Sequence, residues 1–177
     1  MNKKIFFYGL LVLLLLPCFS SATDTVQQEE KSVLEKFRGE VPTDRIKTID
    51  ELHKKWKETQ SGTSKAIIID VRSTAEFAAG HIINSSNIDS HDVYTLHKKI
   101  TSPDTELWIT CLTQERAYYF VGLLYRYGYT NVYLAEGGIK AWAEKGYPLA
   151  NKYLGKIKVI DYQKDFAEDF VYRDKNK

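Results

Sequence analysis

Cys111 stands where an apolar, strand-like run, Glu106 to Thr110, gives way to the hexapeptide Cys111-Leu112-Thr113-Gln114-Glu115-Arg116 and then to a strongly amphipathic stretch. A thiol at that junction can act as a nucleophile. The spacing predicts a strand over Glu106 to Thr110, a short turn, and a helix from near Glu115. Backbone N–H groups in the turn and the positive helix end would then face the sulfur, and both favour thiolate over thiol. The expectation is therefore a lowered thiol pKa; the competing reading is a buried, inert cysteine. The other cysteine, Cys18, lies in a segment expected to be removed, which leaves Cys111 without a disulfide partner and with a chemical rather than a cross-linking role.

Several elements must position that residue. Thr48 with Glu51 three positions later forms a capping box, and Ile49, Leu52 and Trp56 fall on one face of the helix that follows, ending near Gly62. Ala66 to Val71, broken only by Asp70, reads as a strand buried on both faces of a parallel sheet. A short helix over Thr74 to Ala79 is stopped by Gly80-His81, and Asn84 to Ile88 turns into a second short strand. Asp92 to Lys99 forms another helix with Val93 and Leu96 inward. Phe120, Val121 and Leu124 continue the stripe from Ala117, with Gly128 as its stop. Asn131 to Leu134 is the next strand, and Gly137-Gly138 permits a tight turn into a helix over Ile139 to Lys145, ended by Gly146 and Pro148. Strands alternating with helices indicate an α/β sandwich around a parallel sheet.

The chain ends are of different character. Lys3 and Lys4, the apolar run Ile5 to Leu16 and the small residues Ser20-Ser21-Ala22 read as a cleaved secretory signal over residues 1–22, and the apolar run is too short for a stable membrane span. A periplasmic or secreted protein is expected; lipidation at Cys18 is the weaker alternative, because Pro17 stands where a small residue belongs. Loss of Met1 to Ala22 removes two lysines and no acid, so basic and acidic residues balance and no excess positive field remains for nucleic acid. Thr23 to Lys36 reads as a mobile lead or a poorly packed helix. After Ala150, Lys156 to Tyr162 alternates like an edge strand, and Phe166, Ala167, Phe170 and Val171 line one side of a short helix that covers the sheet or engages a partner.

Taken in order, Ile69-Asp70-Val71-Arg72, Glu76-Phe77-Ala78-Ala79-Gly80-His81-Ile82, the Cys111 loop, Leu134-Ala135-Glu136-Gly137-Gly138-Ile139-Lys140-Ala141-Trp142 and Gly146-Tyr147-Pro148 resemble a single rhodanese domain of the thiosulfate sulfurtransferase type. The resemblance implies a rhodanese-like three-layer α/β sandwich with a mostly parallel central sheet over residues 46–150, between a polar lead (23–45) and a C-terminal extension (151–177). It further implies a sulfurtransferase that needs no organic cofactor. Cys111 matches the nucleophile that takes sulfane sulfur from a donor such as thiosulfate or a persulfide and passes it to a thiol or cyanide-like acceptor. Leu112, Thr113, Gln114, Glu115 and Arg116 match the substrate-binding loop, and the Arg116 guanidinium matches a group that binds an anionic donor, with a structural pair to Glu115 as its alternative.

Two positions depart from the pattern. Gln114 replaces a common glycine, and a side chain there narrows the allowed backbone and is expected to close or tilt the cradle. Glu115 adds negative charge beside the donor and disfavours thiosulfate relative to a persulfide. Asp70 and Arg72 are expected to pair at the strand end, His81 to cap backbone groups, and His53, His81, His91 and His97 show no metal-ligand spacing with Cys111.

Two other functions compete. Phosphatases that resemble rhodaneses place five residues between cysteine and arginine, whereas four intervene here. A binding module with little turnover, engaging another exported protein, is the alternative that Gln114 and Glu115 motivate.

Overall fold

A computed structural model describes residues 22–157. In chain order the elements are α1 (Ala22–Glu40), a 3-10 turn (Thr43–Arg45), β1 (Ile46–Lys47), α2 (Ile49–Gln60), β2 (Ile67–Asp70), α3 (Thr74–Ala79), β3 (His81–Ile82) and β4 (Ser86–Asn87). A 3-10 helix (Ser90–Lys98) follows, then β5 (Leu107–Thr110), α4 (Glu115–Arg126), β6 (Val132–Ala135), α5 (Gly138–Glu144), β7 (Leu149–Asn151) and β8 (Gly155–Ile157).

Five strands form a parallel sheet in the order β1-β6-β5-β2-β4, in register through Ile69, Ile109 and Leu134. Side chains alternate across it. Ile69, Leu107, Ile109 and Leu134 enter one core with Phe120, Val121 and Leu124 of α4, whereas Ile68, Trp108 and Ala135 enter a second with Ile49 and Leu52 of α2 and Trp142 of α5. The result is the expected three-layer sandwich with a central parallel sheet. A small antiparallel sheet, β3-β7-β8, lies beside it and carries the chain past Ala150.

Local chemistry explains the boundaries. Thr48 and Glu51 form the capping box of α2, and Ser73 with Glu76 forms a second one that starts α3. The stretch expected as an α-helix over Asp92 to Lys99 is instead a 3-10 helix whose buried residues are Val93 and Leu96. Their spacing of three suits three residues per turn.

The stretch read as a mobile lead or a poorly packed helix is α1, with Val26 exposed near its start and Leu34 packed against the first core. The Phe37 ring lies 4.7 Å from that of Tyr119, and the Arg126 Nε donates to Glu40 at 3.0 Å. Gly122 makes room for this contact, since a Cβ there would stand 2.5 Å from the Phe37 ring. The signal segment, all of the edge-strand reading beyond Ile157, and the helix read over Phe166 to Val171 lie outside the described residues.

Candidate active site

All four residues of β5 are buried, and Cys111 follows them at the carboxyl end of the sheet with 1 % of its surface exposed. In open parallel sheets this end holds the ligands. The loop leads into α4, and the backbone N–H groups of Thr113 and Ala117 act on the sulfur, pulling its pKa down. Their direction has a cause in the second helical layer. The carbonyls of Cys111 and Leu112 accept the N–H groups of Ile139 at 2.8 Å and Lys140 at 3.0 Å, at the start of α5. With those carbonyls drawn toward α5, the loop's donors are free to face the thiol. Gly138 permits the approach, because at φ +60° a Cβ would stand 2.4 Å from the Cys111 oxygen and 2.6 Å from those of Leu112 and Thr113.

The expected lowering of the thiol pKa is overturned. Burial pushes the Cys111 thiol above its ordinary value and outweighs the Ala117 and Thr113 N–H groups and the Arg116 charge, which pull it down. Desolvation penalises the thiolate more than two amides and a distant cation repay. Two further loop expectations also change. Gln114 adopts φ −161° and ψ −23°, outside the left-handed region that favours glycine, so its backbone here does not call for one. Arg116 does pair with a carboxylate, but with Glu76 rather than Glu115: its two terminal nitrogens donate to Glu76 at 2.8 and 2.7 Å.

Glu76, to which motif reading gives no role of its own, is the residue that pairs with the end of the Cys111 loop. Its carboxylate also accepts the Ser73 N–H at 3.1 Å and hydroxyl at 2.9 Å, so one side chain starts α3 and holds the last residue of the Cys111 loop. The Ser73-x-x-Glu76 spacing signalled the first role; only the fold shows the second. The Arg116 guanidinium, above the other contacts, holds the Glu76 carboxyl down at about 2.

Because that folded-state value lies below the unfolded one of about 4.3, the pair stabilises the fold above the unfolded pKa and loses its contribution as pH falls toward 2. Both side chains remain more than a third exposed, so screening keeps the effect modest. Glu76→Gln is therefore expected to be the less stable protein at pH 7, with the difference closing between pH 4.5 and 2 in urea melts. A difference that stays constant over that range would refute the assignment.

The flanking residues are structural. Asp70, opposite Thr110 in the sheet, is wholly buried and binds Arg72 through three contacts of 2.7 to 3.0 Å, while Arg72 also donates to the Gly80 carbonyl at 2.6 Å. His81 shares a 2.7 Å hydrogen bond with the Phe77 carbonyl, which can only accept, so Nδ1 carries the proton. The ring also stacks on Phe77. Among the described residues no group of three histidine, cysteine or carboxylate side chains could hold a metal ion, and no helix is long and apolar enough to cross a membrane.

Residues 48–145 match the rhodanese-like domain family. The chain belongs to the rhodanese-like domain family. Among its relatives, a thiosulfate sulfurtransferase GlpE of Ectopseudomonas mendocina is 34% identical over 83 residues, 44% of this chain and 70% of that protein. A sulfurtransferase of Allochromatium vinosum is 31% identical over 87 residues, 49% of this chain and 80% of that one. Among solved structures, the polysulfide-sulfur transferase homodimer of Wolinella succinogenes shares the fold with a TM-score of 0.58 at 21% identity, over 75% of this chain and 94% of its own. The matched region of this rhodanese-like domain includes Glu76, the Cys111 loop and Gly138, whereas α1 lies before it.

Proposed function

We propose that this rhodanese-like domain is an exported sulfurtransferase that works through a persulfide on Cys111. Family membership and relatives named as sulfurtransferases support sulfur transfer in general. The observation that carries the persulfide reading is the placement of Cys111 at the carboxyl end of β5, with its loop carbonyls drawn to α5 and the Thr113 and Ala117 N–H groups acting on the sulfur. They stabilise negative charge at that atom, first on the thiolate and then on the outer sulfur of the persulfide.

With an organic persulfide as donor, the Cys111 thiolate attacks the outer sulfur of R–S–SH, the donor S–S bond breaks, and R–S⁻ leaves with its electron pair, giving Cys111–S–SH. With thiosulfate the leaving group is sulfite. An acceptor thiolate or cyanide then takes the outer sulfur and returns Cys111 as thiolate. Sulfur transfer is thereby split into two displacements at one atom.

The test is intact-mass measurement of the full chain after incubation with thiosulfate or glutathione persulfide. Wild type is expected to gain about 32 Da, one sulfur, as covalent catalysis requires, and Cys111→Ser to gain none. Because burial raises the thiol pKa, loading should accelerate as pH climbs toward the ordinary thiol value of 9.0 and beyond. Folded wild type with a titratable thiol that gains no sulfur from either donor would sink the proposal. It would favour the second reading, a binding module with little turnover, for which the buried, protonated thiol speaks. The four residues between Cys111 and Arg116 make a phosphatase the weaker reading of the fold.

A further inference from the structure

We propose that Glu115 determines which sulfur donor the site accepts: its carboxylate stands in the loop as a built-in anion and turns the site from thiosulfate toward a persulfide carried on an organic thiol. The inference rests on the Cys111 persulfide reading and adds the donor class.

The loop's donors divide into two groups. Thr113 and Ala117 direct their N–H groups at the sulfur. The Gln114 N–H instead donates to the Glu115 carboxylate at 3.3 Å, the Thr113 hydroxyl donates to the same carboxylate, and the Glu115 N–H also serves it. The remaining cationic group of the loop, the Arg116 guanidinium, spends both terminal nitrogens on Glu76. Nearby Arg38 of α1 adds a field that helps keep Glu115 ionised.

The two donors differ in what they ask of this loop. Thiosulfate carries two charges, and its sulfonate end needs several N–H donors or a guanidinium once it leaves water. The Gln114 and Glu115 N–H groups, the Thr113 hydroxyl and both terminal nitrogens of Arg116 are already answered from within the chain, and the Glu115 charge repels the incoming dianion. At its reacting end an organic persulfide brings one charge at most, on the sulfur to be transferred, with the carboxylates of a carrier such as glutathione several bonds away, and the Thr113 and Ala117 amides suffice for that end. The transfer balances as written above: one donor S–S bond breaks, one Cys111 S–S bond forms, and the thiolate leaves with the electron pair. No outside oxidant or reductant enters.

The test compares rates of sulfur gain on Cys111, by intact mass of the full chain, with thiosulfate and with glutathione persulfide for wild type, Glu115→Gln and Glu115→Ala. Glu115→Gln keeps an acceptor oxygen and removes only the charge, so it decides the matter if the alanine variant fails to fold. The ratio of the thiosulfate rate to the persulfide rate is expected to rise by more than threefold, about tenfold for loss of one like charge beside a dianion. A merely structural role for Glu115 would move both rates together. A ratio that stays within threefold of wild type, or moves the other way, overturns the proposal while leaving the persulfide reading intact. Absence of sulfur gain from both donors in every folded variant would overturn both.

Discussion

Asp70→Ala is expected to destabilise the protein by about 3–5 kcal/mol, the cost of stranding a buried charge by removing its partner. Asp70 is fully buried and Arg72 is 5 % exposed, so neither ion has water to fall back on. Apart from its bond to the Gly80 carbonyl, Arg72 relies on the two Asp70 oxygens, and its own N–H also donates to Asp70 at 3.1 Å. The damage would spread toward β5 because Asp70 lies in register with Thr110, one residue before Cys111. Urea denaturation of the single variant, and of a double variant with an apolar pair in both places, measures it. The double variant should recover much of the loss, since replacing both ions removes the unpaired charge. A single-variant loss below about 1.5 kcal/mol would show that water or another group reaches Arg72.

Gly138→Ala is the second large effect. Its φ of +60° belongs to the left-handed region, which costs an L-residue about 1–2 kcal/mol. The larger cost is steric: the added methyl would stand 2.4 to 2.6 Å from three carbonyl oxygens. All three belong to loop backbone, and the two held by α5, those of Cys111 and Leu112, cannot swing aside alone. The total is expected to be on the order of 3 kcal/mol, within the range of backbone and packing lesions. Relief of the clash means pushing the Cys111 loop away from α5, which turns the Thr113 amide off the sulfur. Gly138→Ala should therefore lose most of its sulfur loading at temperatures where circular dichroism still reports a folded protein. Normal loading in a protein of normal stability would contradict this account of the loop.

Much of this architecture was legible from residue patterns. The Thr48/Glu51 capping box, the isoleucine-rich strand ending at Asp70, the stripe through Phe120, Val121 and Leu124, and Cys111 at a strand end are local signals, and each survives folding because packing agrees with it. What escaped was settled by partners distant in sequence. Arg116 sits beside Glu115 in the chain but meets Glu76, forty residues away. The loop amides and the helix end predict an acidic thiol, whereas burial, a property of the whole fold, sets the sign of its shift. Gln114 looks forbidding only for a left-handed, glycine-like backbone, and its φ of −161° is not of that kind. The docking of α1 is hidden by the many charges of the polar lead (23–45), among which Leu34, Phe37 and Val41 form a sparse apolar i, i+3, i+7 series.

The notch at Gly122 makes positions 37 and 122 share a single allotment of space. A bulkier side chain on α4 would have to evict the phenylalanine, and with it the anchorage of a helix that precedes the matched part of the chain. In any variant that keeps both helices, growth at 122 needs a smaller residue at 37 and some give in the Glu40 carboxylate, which would stand 3.2 Å from the new Cβ. The appended helix thus writes its presence into the core domain as an empty place.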